Sequence, residues 1–271
     1  MTPGVPRIAF NNVSVRFLTP GGGQMQVVDN VSYSIRDREF VSVIGPSGCG
    51  KTTMLNMVAG FMQPSGGSVT LDGKPISGPG PDRGVIFQEY GVFPWLTVKD
   101  NIAFGLNLRA NRRTAAERDQ ICARYLRLMG LVEFAEAWPR TLSGGMRQRL
   151  ALARAYAVKP EFLLMDEPFG ALDAQTRSAM QDLLLEVLAA ENKTVLLITH
   201  SVEEAIYLSN RIIVMTARPT SIREIIEVPF TYPRASALHE SPEFGDLRAH
   251  VRDLVMQEYA EQARQRTSEM V

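Results

Sequence analysis

The sequence predicts an α/β fold: a mostly parallel sheet, an antiparallel β edge layer and an inserted helical subdomain. Three observations carry this reading. Short β-rich runs alternate with longer helical stretches, the pattern of strands joined by crossover helices. Several of the runs are almost continuously apolar, as strands buried on both faces must be. Between residues 98 and 157 the pattern turns helical. With 271 residues, 45% apolar and 21% charged, the chain can bury a full core as one large or two small domains, which excludes disorder for most of its length.

The elements follow in order. VSVRF (13–17), the Gly-Gly-Gly turn at 21–23 and VSYSI (31–35) predict antiparallel strands in an edge layer. EFVSVIG (39–45), RGVIFQ (83–88), EFLLMDE (161–167), KTVLLITH (193–200) and RIIVM (211–215) predict the strands of the parallel core. Thr114 with Glu117 spells a capping box for a helix ending at Gly130, and Ser201 with Glu204 spells another. The segment from about 219 contains Pro219, Pro229, Pro233 and Pro242. An amphipathic helix follows, with Leu247, Val251, Leu254 and Val255 on one face packing against the body of the protein. The expected organisation is an α/β core with its edge layer over 8–88 and 160–218, a helical subdomain over 89–159 and a C-terminal extension over 219–271.

Charge and cysteine content narrow the function classes. Twenty-nine Lys+Arg balance 29 Asp+Glu, so no global field draws the molecule to nucleic acid or an anionic membrane. Any polyanion must be gripped locally. Two cysteines, Cys49 and Cys122, are too few for a disulfide framework and fit a reducing compartment. MTPGVPRIAF does not read as a signal peptide, and no apolar run approaches the roughly 18 residues that cross a bilayer.

A local grip is spelled out after the strand VSVI. Gly45-Pro46-Ser47-Gly48-Cys49-Gly50-Lys51-Thr52 is an instance of G-x-x-x-x-G-K-[ST], followed by Thr53 and a helical stretch. Glycines let successive N–H groups turn toward phosphate oxygens, and the helix adds its positive end. Lys51 supplies a full charge for the β- and γ-phosphates, and the Thr52 hydroxyl suits Mg²⁺. Cys49 reads as a small residue contributing its N–H, with thiol activation at a helix start as the alternative.

Acids and polar groups close the other strands. Asp166 and Glu167 end FLLM, where buried charge calls for a metal or a counter-charge. Beside a phosphate loop, Asp166 would join the Mg²⁺ shell and Glu167 would orient or deprotonate the attacking water. Gln88 ends RGVIF and is suited to the metal or the water; His200 ends TVLLIT and is suited to donate to the γ-phosphate. In open parallel sheets, ligands sit beyond the carboxyl ends of the strands. Ser143-Gly144-Gly145, opening the helical run that Lys159-Pro160 ends, is a second anion cradle. One nucleotide does not need two such cradles, so the second suits a nucleotide held by a neighbouring copy.

GPSGCGKTT, Gln88, LSGGMRQR, FLLMDEP, the ALD of residues 171–173 and His200 stand in the order and approximate spacing of the ATP-binding subunits of ABC transporters, which this chain resembles over about residues 8–215. The resemblance implies an ABC ATPase cassette on a P-loop NTPase core, with ATP and Mg²⁺ as its ligands. It implies a head-to-tail homodimer formed on ATP binding, in which Ser143, Gly144 and Gly145 contact the γ-phosphate held by the other copy's Lys51. Glu167 is then the expected catalytic base, with Lys51 and His200 beside it, and Asp173 would couple the sites. Phe17 stands where the family places an aromatic on adenine; a core position on its strand is the competing reading. Met146 departs from the more frequent Gln. LSGGM, DRGVIFQEYGVFPWLTVKDNIAFGL and VPFTYPRASALHESPEFGDLRAHV resemble the nitrate, sulfonate and taurine importer group.

That group implies an ATP-hydrolysing subunit peripheral to the cytoplasmic face of the membrane, with integral permease subunits as partners. A solute-binding protein would be served indirectly, and nucleic acid would play no part. Phe93, Pro94, Trp95 and Leu96 fall in a loop suited to grip a permease helix, unless Trp95 plugs the helical subdomain. The basic residues Arg109, Arg112 and Arg113 read as a solvated helix end. A soluble ABC ATPase is the alternative. Translation factors of that kind carry two cassettes and DNA-maintenance relatives carry a long coiled coil, whereas this sequence has one motif set and no heptad insert. A small-molecule kinase would leave LSGGM unexplained.

Overall fold

The computed structural model describes residues 6–19, 21–191 and 193–269; residues 1–5, on which part of the signal-peptide reading rests, lie outside them. Two compact units form, one from residues up to Pro79 together with those from Ala189 onward, the other from Gly80–Leu188.

In the first unit, β1 (Ile8–Leu18) pairs antiparallel with β2 (Gln24–Ile35), placing Ile8 opposite Ile35 and Phe17 opposite Met25. Alternation of buried Val13 and Val15 with outward residues gives this ribbon one wet face. β3 (Phe40–Ile44) is buried throughout and leads through the glycine loop into α1 (Lys51–Ala59). β4 (Gly66–Leu71) and β5 (Lys74–Pro75) complete an antiparallel sheet of order β2–β1–β4–β5.

The second unit begins with β6 (Arg83–Ile86) and continues through α2 (Val98–Asn107), α3 (Ala115–Leu128) and α4 (Gly144–Ala157). β7 (Phe162–Asp166) then lies parallel to β6, and α5 (Ala174–Glu191) follows. The α3 capping box forms in both directions: Thr114 Oγ1 accepts from the Glu117 N–H, and the Glu117 carboxylate accepts from the Thr114 N–H. Gly130, past the end of α3, takes φ +63°.

Back in the first unit come β8 (Thr194–Ile198), α6 (Val202–Leu208), β9 (Arg211–Met215), β10 (Ile222–Glu227) and α7 (Pro242–Glu269). β3 is parallel to both β8 and β9, and β10 runs antiparallel along β9. At α6 the predicted box is redirected. Ser201 Oγ accepts from the Glu204 N–H, while the Ser201 N–H donates to Thr199 Oγ1 and the Glu204 carboxylate accepts from the Thr199 hydroxyl at 2.6 Å. A threonine two residues upstream thus takes the place of the reciprocal arm. Val251, Leu254 and Val255 of α7 are buried, and the helix packs on α6 and β9. β4 and β10 do not stand out in the sequence: β4 opens on two glycines, and β10 hides between prolines.

Candidate functional site

The phosphate loop is shaped by Gly50, whose φ of +113° lies where L-residues are strained and whose missing Cβ would meet Val27 Cγ1 at 2.9 Å. This residue precedes α1, so the helix start points its unsatisfied N–H groups into the loop. The buried Lys51 ammonium donates to Gly45 O at 2.8 Å and Pro46 O at 2.9 Å, leaving one proton of its three for a ligand. Cys49 is wholly buried, its N–H closes a turn onto Pro46 O at 3.3 Å, and burial pushes its thiol up. Desolvation therefore outweighs activation of the thiol at the helix start. Thr52 and Thr53 occupy the first turn of α1.

Every carbonyl of this loop has a donor. Ser47 O accepts from Gln262 Nε2 at 2.9 Å, Gly48 O from Arg218 Nη2 at 2.5 Å and Cys49 O from the buried Thr220 hydroxyl. Sequence reasoning misses all three donors, which lie some 170 to 215 positions downstream with no motif to mark them. In the same unit, His200 follows β8 and is exposed, and Phe17 is 40% exposed on β1, which removes it from the core.

Within the second unit, β7 delivers Asp166 and then Glu167, whose φ of +45° turns the chain sharply at the strand end. The left-handed turn is the kind of costly local conformation that persists only where surroundings enforce it. Gln88, two residues past β6, donates from Nε2 to Glu167 Oε2 at 3.4 Å, so the two strand ends bring these side chains together. Ser143 caps α4, its Oγ accepting from the Met146 N–H at 3.3 Å and keeping its own proton to donate. A Cβ at Gly145 would lie 2.5 Å from Thr176 Cγ2, so any side chain there would have to displace that methyl. Asp173 accepts from the Thr176 N–H at 2.9 Å at the start of α5, and the Thr176 amide and hydroxyl hold its carboxyl below the usual range.

A groove of about 210 Å³ opens in the same unit, lined by Phe87, Tyr90, Phe104 and Leu108 with Gly84 and Ala151, and by the polar side chains of Arg83, Asn111 and Arg154. The Arg154 guanidinium stacks 4.0 Å over the Phe93 ring and donates to Gly91 O, and burial pulls its pKa down. Phe93 in turn contacts Phe104 and Trp95, with ring centroids 4.5 and 5.3 Å away. Trp95 is 66% exposed, so it does not plug the helical subdomain.

Residues 28–170 match the ABC transporter family. The chain belongs to that family. This ABC cassette is 44% identical to the nitrate import ATP-binding protein NrtD of Synechococcus elongatus, over 93% of its own length and 92% of the relative's. It is 43% identical to the bicarbonate transport ATP-binding protein CmpD of the same species, over 94% and 92%. Among solved structures it superposes on the dimeric, post-hydrolysis form of an ATP-binding cassette bound to ADP and phosphate, with a TM-score of 0.72, 30% identity and coverage of 83% of this chain and 100% of that one. The cassette is thus an ATP-binding ATPase of the ABC transporter class. Among its described residues no helix is long and apolar enough to cross a membrane.

Proposed function

We propose that this cassette is the ATP-hydrolysing subunit of an importer. Two copies close head to tail on ATP and reopen after hydrolysis, driving separate permease subunits that admit a small oxyanion or sulfonate. The supporting observation is that one chain carries two anion cradles at helix starts: the glycine loop before α1 and Ser143-Gly144-Gly145 at α4. Each copy then gives one cradle to its own nucleotide and the other to its partner's. The names of NrtD and CmpD, with the LSGGM resemblance, favour nitrate, bicarbonate, taurine and similar small solutes. An external solute-binding protein delivers them to the permease, and the cassette works at the cytoplasmic face.

In this reading Phe17 stacks on adenine, Gly45 to Gly50 cradle the phosphates and Lys51 neutralises the β- and γ-oxygens. Glu167 takes a proton from water as the water oxygen bonds to the γ-phosphorus and the bond to the ADP oxygen breaks. His200 donates to the departing γ-phosphate, and Asp173 relays between the two sites. Thr52, Gln88 and Asp166 are oxygen donors of the kind Mg²⁺ accepts beside phosphates and water, and they would hold it. When bound, that ion neutralises charge on the phosphate oxygens.

The Phe87–Leu108 groove and Trp95 supply the docking face, whose glycine and alanine lining lets a permease helix approach closely. The test is Trp95→Asp in the cassette assembled with its permease in proteoliposomes. ATP-dependent uptake of labelled nitrate, bicarbonate or taurine should be lost, with nucleotide affinity of the isolated cassette unchanged. Normal uptake by the variant, or a parent assembly that moves none of these solutes, would overturn the docking role or the solute class respectively.

A further inference from the structure

We infer that Arg218, Thr220 and Gln262 are positioning residues for the phosphate loop, and that α7 thereby sets nucleotide affinity from the C-terminal end of the chain. The argument begins with the peptide unit. A trans peptide is planar, and its C=O and N–H point in opposite directions. Holding the carbonyls of Ser47, Gly48 and Cys49 outward therefore turns the N–H groups of Gly48 and Gly50 into the loop where phosphate binds, while that of Cys49 closes the turn onto Pro46 O.

Each of the three carbonyls is held by a side chain from the C-terminal third: Gln262 on Ser47, Arg218 on Gly48 and Thr220 on Cys49. The remaining two, Gly45 and Pro46, are taken by Lys51. Without those donors a glycine-rich loop has little to stop its peptides rotating, and a carbonyl turned inward would repel phosphate.

The donors are themselves anchored. Thr220 is locked against β2, its N–H donating to Val27 O at 2.8 Å and its carbonyl accepting from the Asp29 N–H at 2.8 Å. Glu258, 7% exposed on α7, accepts from the Ala217 N–H at 3.0 Å, one residue before Arg218. Gln262 follows Glu258 by four residues, so both lie on one face of α7 and grip the β9–β10 connection and the phosphate loop together. Arg218 also donates to Met25 Sδ at 3.0 Å, and Met25 is the residue opposite Phe17. The same guanidinium thus links the phosphate loop to the strand pair carrying the candidate adenine contact.

The inference needs only nucleotide binding by the Lys51 loop, not the importer reading. The experiment measures binding of fluorescent ATP and ADP analogues, steady-state kcat and KM, and Tm on the full chain. Gln262→Glu keeps size and shape but replaces the donating NH₂ with an acceptor. It and Arg218→Ala should weaken binding of both nucleotides about five- to tenfold and raise KM in step, with kcat at saturation largely kept. Arg218→Lys, which can still reach a carbonyl, should recover part of the loss. Arg248→Ala, which breaks the surface pair with Glu203 at 2.9 Å on the same helix, should leave binding unchanged. Unaltered nucleotide affinity in Gln262→Glu, a loss matched by Arg248→Ala, or a fall in Tm that accounts for the weakened binding would overturn it.

Discussion

Glu167 combines a left-handed backbone with a carboxylate that accepts from Gln88, an arrangement that aims one acid at the end of a buried strand. If it deprotonates water, Glu167→Gln should lower ATP turnover by about a hundredfold or more while ATP affinity is kept. A phosphate-release assay beside equilibrium nucleotide binding checks this, and near-normal turnover would remove Glu167 from the base role. Cys49 is a residue whose environment overrules its address. A helix start favours thiolate, yet complete burial pushes the thiol up, so thiol reagents at neutral pH should leave Cys49 unmodified until the protein is unfolded, as mass spectrometry of the native chain would show. Two phenols set an alkaline limit. Tyr232 is 39% exposed as a residue, but desolvation of its hydroxyl, which donates to Leu208 O, pushes it up to about 12; full burial raises Tyr33 as well. The folded values lie above the ordinary tyrosine value of about 10, so the stability contributed by the neutral phenols is complete below that pH and is lost as pH rises toward 12. Thermal melts across this window should show falling Tm, and Tyr232→Phe should flatten part of the decline.

At the scale of elements, helix starts carry both structure and chemistry. Thr114 and Glu117 illustrate the purely structural case, two exposed side chains that satisfy each other's backbone at α3. Thr114→Ala should cost about 1 kcal/mol, read by urea denaturation, and leave nucleotide binding untouched. Ser143 sits in the same position on α4 yet keeps a hydroxyl proton to spend on a ligand, so Ser143→Ala should cost similar stability and lower ATPase activity as well. The contrast between these two caps separates capping from catalysis. Sequence and structure agree best at this scale. β9 occupies the five residues of RIIVM, and β3, β6, β7 and β8 fall inside the runs that mark them; β3, β8 and β9 are buried along their whole length, which requires nearly continuous apolar sequence. The α6 box shows the limit: the local spelling at Ser201 and Glu204 is right, but Thr199 competes for the same groups.

At the scale of the whole molecule, head-to-tail closure predicts that the Glu167→Gln chain with Mg²⁺ and ATP sediments as a dimer, and that Ser143→Asp keeps it monomeric by placing a carboxylate against a γ-phosphate. Monomers under the first condition would sink the two-copy mechanism. Motif positions, the buried core strands and the candidate phosphate, metal and water ligands were legible in one dimension, whereas β4 and β10 were not. Each depends on a few neighbouring residues whose backbone demands and charges are written locally: glycines before a helix, acids after an apolar strand, a hydroxyl before two glycines. Folding alone decided that Cys49 is sealed, that Phe17 and Trp95 face outward, and that Arg218, Thr220 and Gln262 hold the phosphate loop from behind. Those facts depend on contacts between residues far apart along the chain, and a carbonyl's partner leaves no trace in the sequence around it, because every residue in the loop, proline included, offers the same backbone C=O.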